Sequence, residues 1–417
     1  MLLDLVFEGG GVRGVAFVGA LEALADQGHQ IGRVMGTSVG GLTAALLAAG
    51  YDVAAIRELM LDKKTGQLTF ADRLITEHPP FEREAINASS TRKYLRDVDF
   101  SFFPNVFEDS LDSLLAQGLM SQRKLHPLFS LLERMSISDG DGWLNWLSVQ
   151  LNRFAGVEDW ASLGLAELYQ KTGRSLTVIG SDISNPSMLV LNHSTAPQLP
   201  LKWAVRLTTS VPFLFPPVVW RQEWGLYRNR RIDGHYVVDG GLLSQFPIEL
   251  FLSETKETEA LMGGRPAESK VIGLLLDETK LVPGIRATVS PTAQRVDAVP
   301  GLKLTRLLLE TLITSSHAST ADLVQSHIVR LPVMGVDPYA YDIGKGEITA
   351  VINTAYNVVQ DFLLGWQKDS LYLLSGFQQQ YIQIRAETFI LGGDTYNIGN
   401  ISDSTVAVGD GAKADRD

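Results

Sequence analysis

Apolar residues at the start of the chain change period within fifty positions. Leu2 to Phe7 is a short apolar run closed by glycines, which suits a buried strand. In GVAFVGALEALADQG, Val15, Val18, Leu21 and Leu24 or Ala25 recur at helical spacing, with Gly28 as the stop. IGRVMG reads as a second short strand, and VGGLTAALLAAG as a second, strongly apolar helix ending at Gly50. The order strand, glycine loop, helix, strand, tight turn, helix predicts a parallel sheet covered by helices.

Later apolar runs predict strands at Leu176 to Ser181, Met188 to Leu191, Tyr236 to Val238, Val271 to Leu276 and Ile328 to Leu331. Leu199 to Thr209 has helical spacing and is broken by the prolines of SVPFLFPP. Between Thr65 and Trp160 the character changes: aromatic and charged residues mix and no strand pattern stands out, which reads as a largely helical insertion. Its apolar clusters, SFFPNVF and WLNWL, suit either a lipid-facing cap or a packed core. Thr349 to Trp366 is an amphipathic helix, followed by a second aromatic segment and a small, polar end expected to be disordered. The expected division is a catalytic domain over 1–365, with 65–160 as insertion or cap, and an extension over 366–417.

Composition narrows the function classes. The chain has 417 residues, 45% of them hydrophobic, enough for a large core. Its net charge of -11, with no concentrated basic stretch, argues against nucleic acid as a partner. The absence of cysteine excludes disulfides, Cys-ligated zinc, iron–sulfur clusters and thiol catalysis. The N-terminus has neither a basic n-region nor a long h-region, and no apolar run approaches the roughly 18–20 residues that span a bilayer. The expectation is a cytoplasmic protein whose membrane contact, if any, is peripheral.

Two glycine-rich turns carry the chemistry. FEGGGVRG holds G-x-G-x-x-G as Gly9, Gly11 and Gly14, between a strand and a helix. Such a loop turns backbone N–H groups inward and adds the positive end of the following helix. It can hold a phosphate or the oxyanion of a tetrahedral acyl-transfer intermediate, or simply make a tight turn. A dinucleotide site would add an acid at the end of the second strand, and Val34-Met35-Gly36 has none. GTSVG, residues 36 to 40, matches G-x-S-x-G in strand–turn–helix context: Gly36 and Gly40 make room for a turn that pushes the Ser38 Oγ outward. The alternative for Ser38 is a simple helix N-cap. A serine nucleophile needs a base, and none of the seven histidines stands in a base motif. His193, after a strand in LNHS, is the one to watch. Asp239 in HYVVDGG ends an apolar strand, and Gly240 and Gly241 let the chain turn away from its carboxylate; Asp-Gly is equally a common turn former.

GGGVRG, GTSVG and DGG, in this order and context, resemble the patatin-like phospholipases. SVPFLFPPV, SLTVIGSDI followed by MLVLN, and the helix of ITAVINTAYNVVQDFL add to the resemblance, which covers about Leu2 to Leu364. It implies a three-layer α/β fold with a mainly parallel sheet and helices on both faces. It implies hydrolysis of fatty acyl esters of phospholipids or related lipids, with Ser38 as nucleophile and Asp239 as base. Gly10, Gly11 and Arg13 would lie on the oxyanion loop, and no histidine, metal or cofactor is required. Some family members are switched on by a nucleotide or a host protein, so an unknown activator stays open. The rival readings are a nucleotide-binding module using Gly9 to Gly14, and an inactive patatin-fold interaction protein.

Overall fold

A strand sends successive side chains to opposite faces. The first strand, β1 (Leu2–Phe7), divides its residues accordingly: Leu3, Leu5 and Phe7 enter one buried cluster and Val6 another. The computed structural model describes residues 1–61, 89–90, 126–153, 159–264, 266, 268–285, 307, 325–339, 343–374, 388–391 and 394–397. After β1 come α1 (Ala16–Asp26), β2 (Gln30–Thr37), α2 (Val39–Ala48), α3 (Val53–Met60), α4 (His126–Arg134), α5 (Asp141–Asn152) and α6 (Leu165–Thr172). Then follow β3 (Leu176–Asp182), β4 (Ser187–Asn192), α7 (Leu201–Thr208), β5 (Val218–Val219), β6 (Tyr236–Asp239), α8 (Glu249–Leu252) and α9 (Lys256–Met262). β7 (Ser269–Leu281), β8 (Ile328–Met334), α10 (Lys345–Leu374), β9 (Thr388–Leu391) and β10 (Asp394–Asn397) complete the order.

One sheet runs β10-β9-β4-β3-β2-β1-β7-β8, with β6 beside β3 and β5 beside β6. β1 is parallel to β2 and β7, β2 to β3, and β7 to β8. β4 and β6 are antiparallel to β3. The sheet is therefore mixed and mostly parallel. Residues of α1, α2, α5, α7 and α10 fill the larger cluster on one face, and Leu250, Phe251, Leu261 and Met262 of α8 and α9 close the other. This is the expected α/β architecture with helices on both faces. Each fully buried apolar side chain contributes about 1.5–3 kcal/mol.

The structure refines the reading of the sequence at three places. The last long helix does not stop at Trp366; it continues to Leu374, and the following segment supplies β9 and β10, which extend the sheet beyond β4 through a pairing of Leu391 with Met188. The polar end, 398–417, lies outside the described residues. Much of the 65–160 insertion, including SFFPNVF, also lies outside them, but α4 and α5 are helical. WLNWL is core rather than an outward lipid face: Trp143 and Leu147 are buried, Trp146 stacks on Trp143 with ring centroids 5.1 Å apart, and the Trp143 indole N–H donates to Thr209 Oγ1 at 3.1 Å. Helical spacing puts Trp143 and Leu147 on one face of α5, and that face packs on α7. Among the described residues no helix is long and apolar enough to cross a membrane.

One buried carboxylate ties three neighbouring strands. Asp4 on β1 is fully buried and accepts from the Arg33 backbone N–H (2.8 Å) and Nε (2.9 Å) on β2, and from Ser269 Oγ (2.8 Å) on β7. Arg33 in turn lies over the Phe251 ring, 4.4 Å from its centroid. Asp4→Ala would leave a buried guanidinium uncompensated, and we expect a loss of about 3–5 kcal/mol in urea unfolding. A loss below about 1 kcal/mol would show that the pair does not hold these strands together.

Candidate active site

β3 decides where the site forms. Along one side of β3, residues 176–179 pair with β2, the last pair being Thr37 with Ile179. From Gly180 onward β6 takes over that side, running the opposite way, with Asp239 opposite Gly180. β4 occupies the other side of β3. The C-terminal ends of β2 and β6 therefore meet head to head, and the residue after Thr37 is Ser38.

At the end of β2 the backbone folds sharply. Ser38 has φ 53 and ψ -125, a conformation costly for a residue with a Cβ, by about 1–3 kcal/mol. It stands at the N-terminus of α2, and its own N–H donates to Thr208 Oγ1 at the end of α7, 2.9 Å away. The turn is tight enough that its glycines are obligatory. A Cβ on Gly36 would fall 2.2 Å from the Gly40 carbonyl carbon, and one on Gly40 would fall 2.4 Å from the Phe7 carbonyl oxygen. Gly14 faces the same turn, its Cα against Val39.

Asp239 is buried, and its Oδ1 accepts the Gly241 N–H at 2.8 Å. Its own N–H donates to the Ser210 carbonyl at 2.9 Å. Burial pushes its pKa up to about 7, while the Gly241 N–H and the Ser38 side chain pull it back. Oδ2 has no partner that meets full hydrogen-bond geometry, although Ser38 is near enough to act on the carboxyl. Ser38 and Asp239 therefore stand side by side without a full hydrogen bond between their side chains. Gly240 passes over β3, where a Cβ would meet the Ile179 carbonyl oxygen at 2.4 Å.

The glycine loop reaches the same place from β1. Gly9 packs beside Ser38, and its N–H donates to the Gln245 carbonyl at 3.1 Å. Gly11 has φ 57, and a Cβ there would lie 2.3 Å from the Pro338 carbonyl oxygen. Among the described residues no acceptor meets the N–H groups of Gly10 or Gly11, and a 3-10 turn, Gly11–Val15, begins directly after Gly10. Arg13 turns outward: its Nε donates to the Val336 carbonyl at 2.7 Å and its guanidinium pairs with Glu278 beyond the buried part of β7. It anchors the loop to the neighbouring strands. Glu8, buried, accepts from the Leu276 N–H, and burial pushes its pKa up to about 8.

His193 is not in this group. It follows β4, whose Asn192 pairs with Thr177 near the start of β3, and it stacks on Tyr169 with ring centroids 4.0 Å apart. Several neighbours carried no signal in the sequence. Thr208 and Ser210 touch the backbones of Ser38 and Asp239, and the buried Arg206 behind them lies over Phe215, 4.8 Å from the ring centroid. Gln245 fills the space between Gly9 and Gly241. Their spacing from GTSVG and DGG follows no local period, so only the fold brings them in.

Comparison with known proteins places the chain in a family. YqhO of Bacillus subtilis (strain 168), itself uncharacterised, is 30% identical over 262 residues, covering 61% of this chain and 69% of that protein. The probable lipid hydrolase 463L of Invertebrate iridescent virus 6 is 21% identical over 246 residues, covering 59% of this chain and 62% of that protein. Among solved structures, VipD from Legionella pneumophila is matched at 17% identity and a TM-score of 0.42, over 87% of this chain and 66% of that one. ExoU from the type III secretion system of Pseudomonas aeruginosa, in complex with SpcU, is matched at 18% identity and a TM-score of 0.37, over 87% of this chain and 52% of that one. A family model described as patatin-like phospholipase matches residues 5–252, more than half of the sequence, and the chain belongs to that family.

Proposed function

We propose that this protein is a lipid acyl hydrolase that cleaves fatty acyl esters of phospholipids, with Ser38 as nucleophile and Asp239 as base. The observation that carries the reading is the meeting of two strand ends: a serine held at φ 53 beside a buried carboxyl whose pKa is pushed up to about 7. A serine hydroxyl is a weak nucleophile until a neighbouring base takes its proton. An ordinary Asp, with a pKa of about 3.9, is a poor base at neutral pH, and burial corrects that mismatch. Ser38 Oγ attacks the ester carbonyl carbon while Asp239 accepts the hydroxyl proton and passes it to the leaving alcohol. The uncommitted N–H groups of Gly10 and Gly11 receive the oxyanion, each donor contributing about 2.7–4 kcal/mol in comparable sites. The acylated serine is then hydrolysed.

A lipid substrate is supported by apolar residues left in water near the site. Phe213 is 41% exposed and Leu243, just past the DGG turn, 42%. Met135, 51% exposed, precedes Ser136, which bridges to Phe213. These side chains would touch a lipid surface, making membrane contact peripheral.

A fluorophosphonate probe should label Ser38 in the native protein and fail on Ser38→Ala; an unlabelled native protein would point to the interaction-protein reading instead. Asp239→Asn, nearly isosteric, should lower kcat/KM on a soluble ester by about 10⁴-fold while the protein stays folded. His193→Ala should keep most activity, and the reverse pattern would replace the dyad with a histidine-based triad.

The raised pKa of Asp239 sets the direction of the pH profile. Protonated Asp239 cannot accept the serine proton, so kcat/KM should fall as pH drops through about 7 and level off above it. A profile flat down to about pH 5 would exclude Asp239 as the base. For the lipid surface, Phe213→Asp should reduce hydrolysis of phospholipid vesicles about tenfold more than that of a soluble short-chain ester, since it removes apolar contact area. Equal effects on both substrates would remove Phe213 from the lipid contact.

A further inference from the structure

Gln245 stands where the three turns of the site come together. Its carbonyl accepts the Gly9 N–H (3.1 Å); the preceding Ser244 donates its N–H to the Gly240 carbonyl (2.9 Å) and accepts from Thr37 Oγ1 (3.1 Å). The Gln245 side chain is buried between two glycines. A Cβ on Gly9 would fall 1.8 Å from Gln245 Oε1 and 3.3 Å from Ser38 Cβ, and one on Gly241 would fall 2.2 Å from Gln245 Nε2. Gly241 is the residue whose N–H binds Asp239 Oδ1. The carboxamide therefore lies against Gly9, which packs beside Ser38, and against Gly241, which binds Asp239.

Two acceptor oxygens of this group, Gln245 Oε1 and Asp239 Oδ2, are buried with no partner at hydrogen-bond geometry among the described residues. Buried acceptors are costly unless a donor reaches them. In the free enzyme the Ser38 hydroxyl is the donor within reach of Asp239. Acylation of Ser38 removes that hydrogen. A single water, with two O–H groups, is a donor able to serve both acceptors.

We propose that the Gln245 carboxamide binds the hydrolytic water of the second half-reaction and holds it against Asp239. This rests on the acyl-hydrolase reading above. One O–H of the water donates to Gln245 Oε1 and the other to Asp239 Oδ2. The water oxygen attacks the acyl carbon as its second proton passes to Asp239. The bond from the acyl carbon to Ser38 Oγ breaks, Asp239 returns the proton to Oγ, and the fatty acid leaves. Gln245 is then a residue of deacylation, with little part in acylation, where the attacking oxygen is that of Ser38.

The test separates the two half-reactions. With the full-length protein and p-nitrophenyl butyrate in stopped flow, Gln245→Met, similar in length but without the amide oxygen, should acylate within about threefold of wild type. Its steady-state turnover should drop roughly 10²-fold, the scale of one lost transition-state partner. A burst of one p-nitrophenolate per enzyme should appear, and intact mass should show butyryl on Ser38. Gln245→Glu, which keeps an acceptor oxygen, should recover part of the lost deacylation. The proposal is overturned if acylation and deacylation fall together in Gln245→Met, as loosening of the glycine loop would cause, or if turnover is unchanged. Should Gln245→Met not fold, Gln245→Asn, which draws the oxygen back by one methylene, is read by the same criteria. A wild type that neither releases p-nitrophenolate nor takes up a fluorophosphonate would instead fail the hydrolase reading itself.

Discussion

β2 and β6 share one side of β3, and there is room for only one of them at each residue. β2 ends opposite Ile179 and β6 ends opposite Gly180, so the two strands stop end to end against each other. Neither chain can continue straight. β2 must turn out through Ser38 into α2, and β6 must turn out through Gly240. The meeting of a serine and an aspartate follows from this exclusion. The glycines around them follow too, because each turn passes within van der Waals contact of backbone from another strand.

An arrangement of this kind is unfavourable locally and has to be held by its surroundings. Ser38 sits at a positive φ, Asp239 is a buried carboxyl, and two of the group's acceptor oxygens lack partners among the described residues. The compensation comes from the end of α7, where Thr208 Oγ1 and the Ser210 carbonyl take the N–H groups of Ser38 and Asp239. That end is clamped in turn by the described part of the insertion. Ile137 and Ser138 donate to the carbonyls of Phe213 and Leu214 at 2.8 and 2.9 Å, and Trp143 donates to Thr209. The described part of the insertion thus supports the site from behind.

Burial also gives Asp239 two properties at once. Desolvation raises its pKa towards neutrality, and the Gly241 N–H fixes Oδ1 in place. Glu8, in the glycine loop, is raised by the same cause but is held by the Leu276 N–H within β7, which fixes the loop to that strand.

Residue pattern alone was enough to place the elements of the first fifty residues, the later buried strands, and the turns at GGGVRG, GTSVG and DGG. These are local properties: hydrophobic period, glycine at a tight turn, and an acid at the end of an apolar run. The parallel pairing of β1 with β2 also followed from the helix between them. What the sequence did not carry is everything that depends on contacts between distant segments. Nothing local shows that β6 runs antiparallel to β3, or that it takes the place β2 vacates. Thr208, Ser210 and Gln245 have ordinary neighbours in sequence and reach the site only because α7 and the segment after DGG fold over it. WLNWL has the same apolar pattern whether it faces lipid or core, and the packing of α5 on α7 chose the core. A helix or turn is decided by interactions within a few residues, and a pairing side or a buried partner by which distant surface arrives to exclude water.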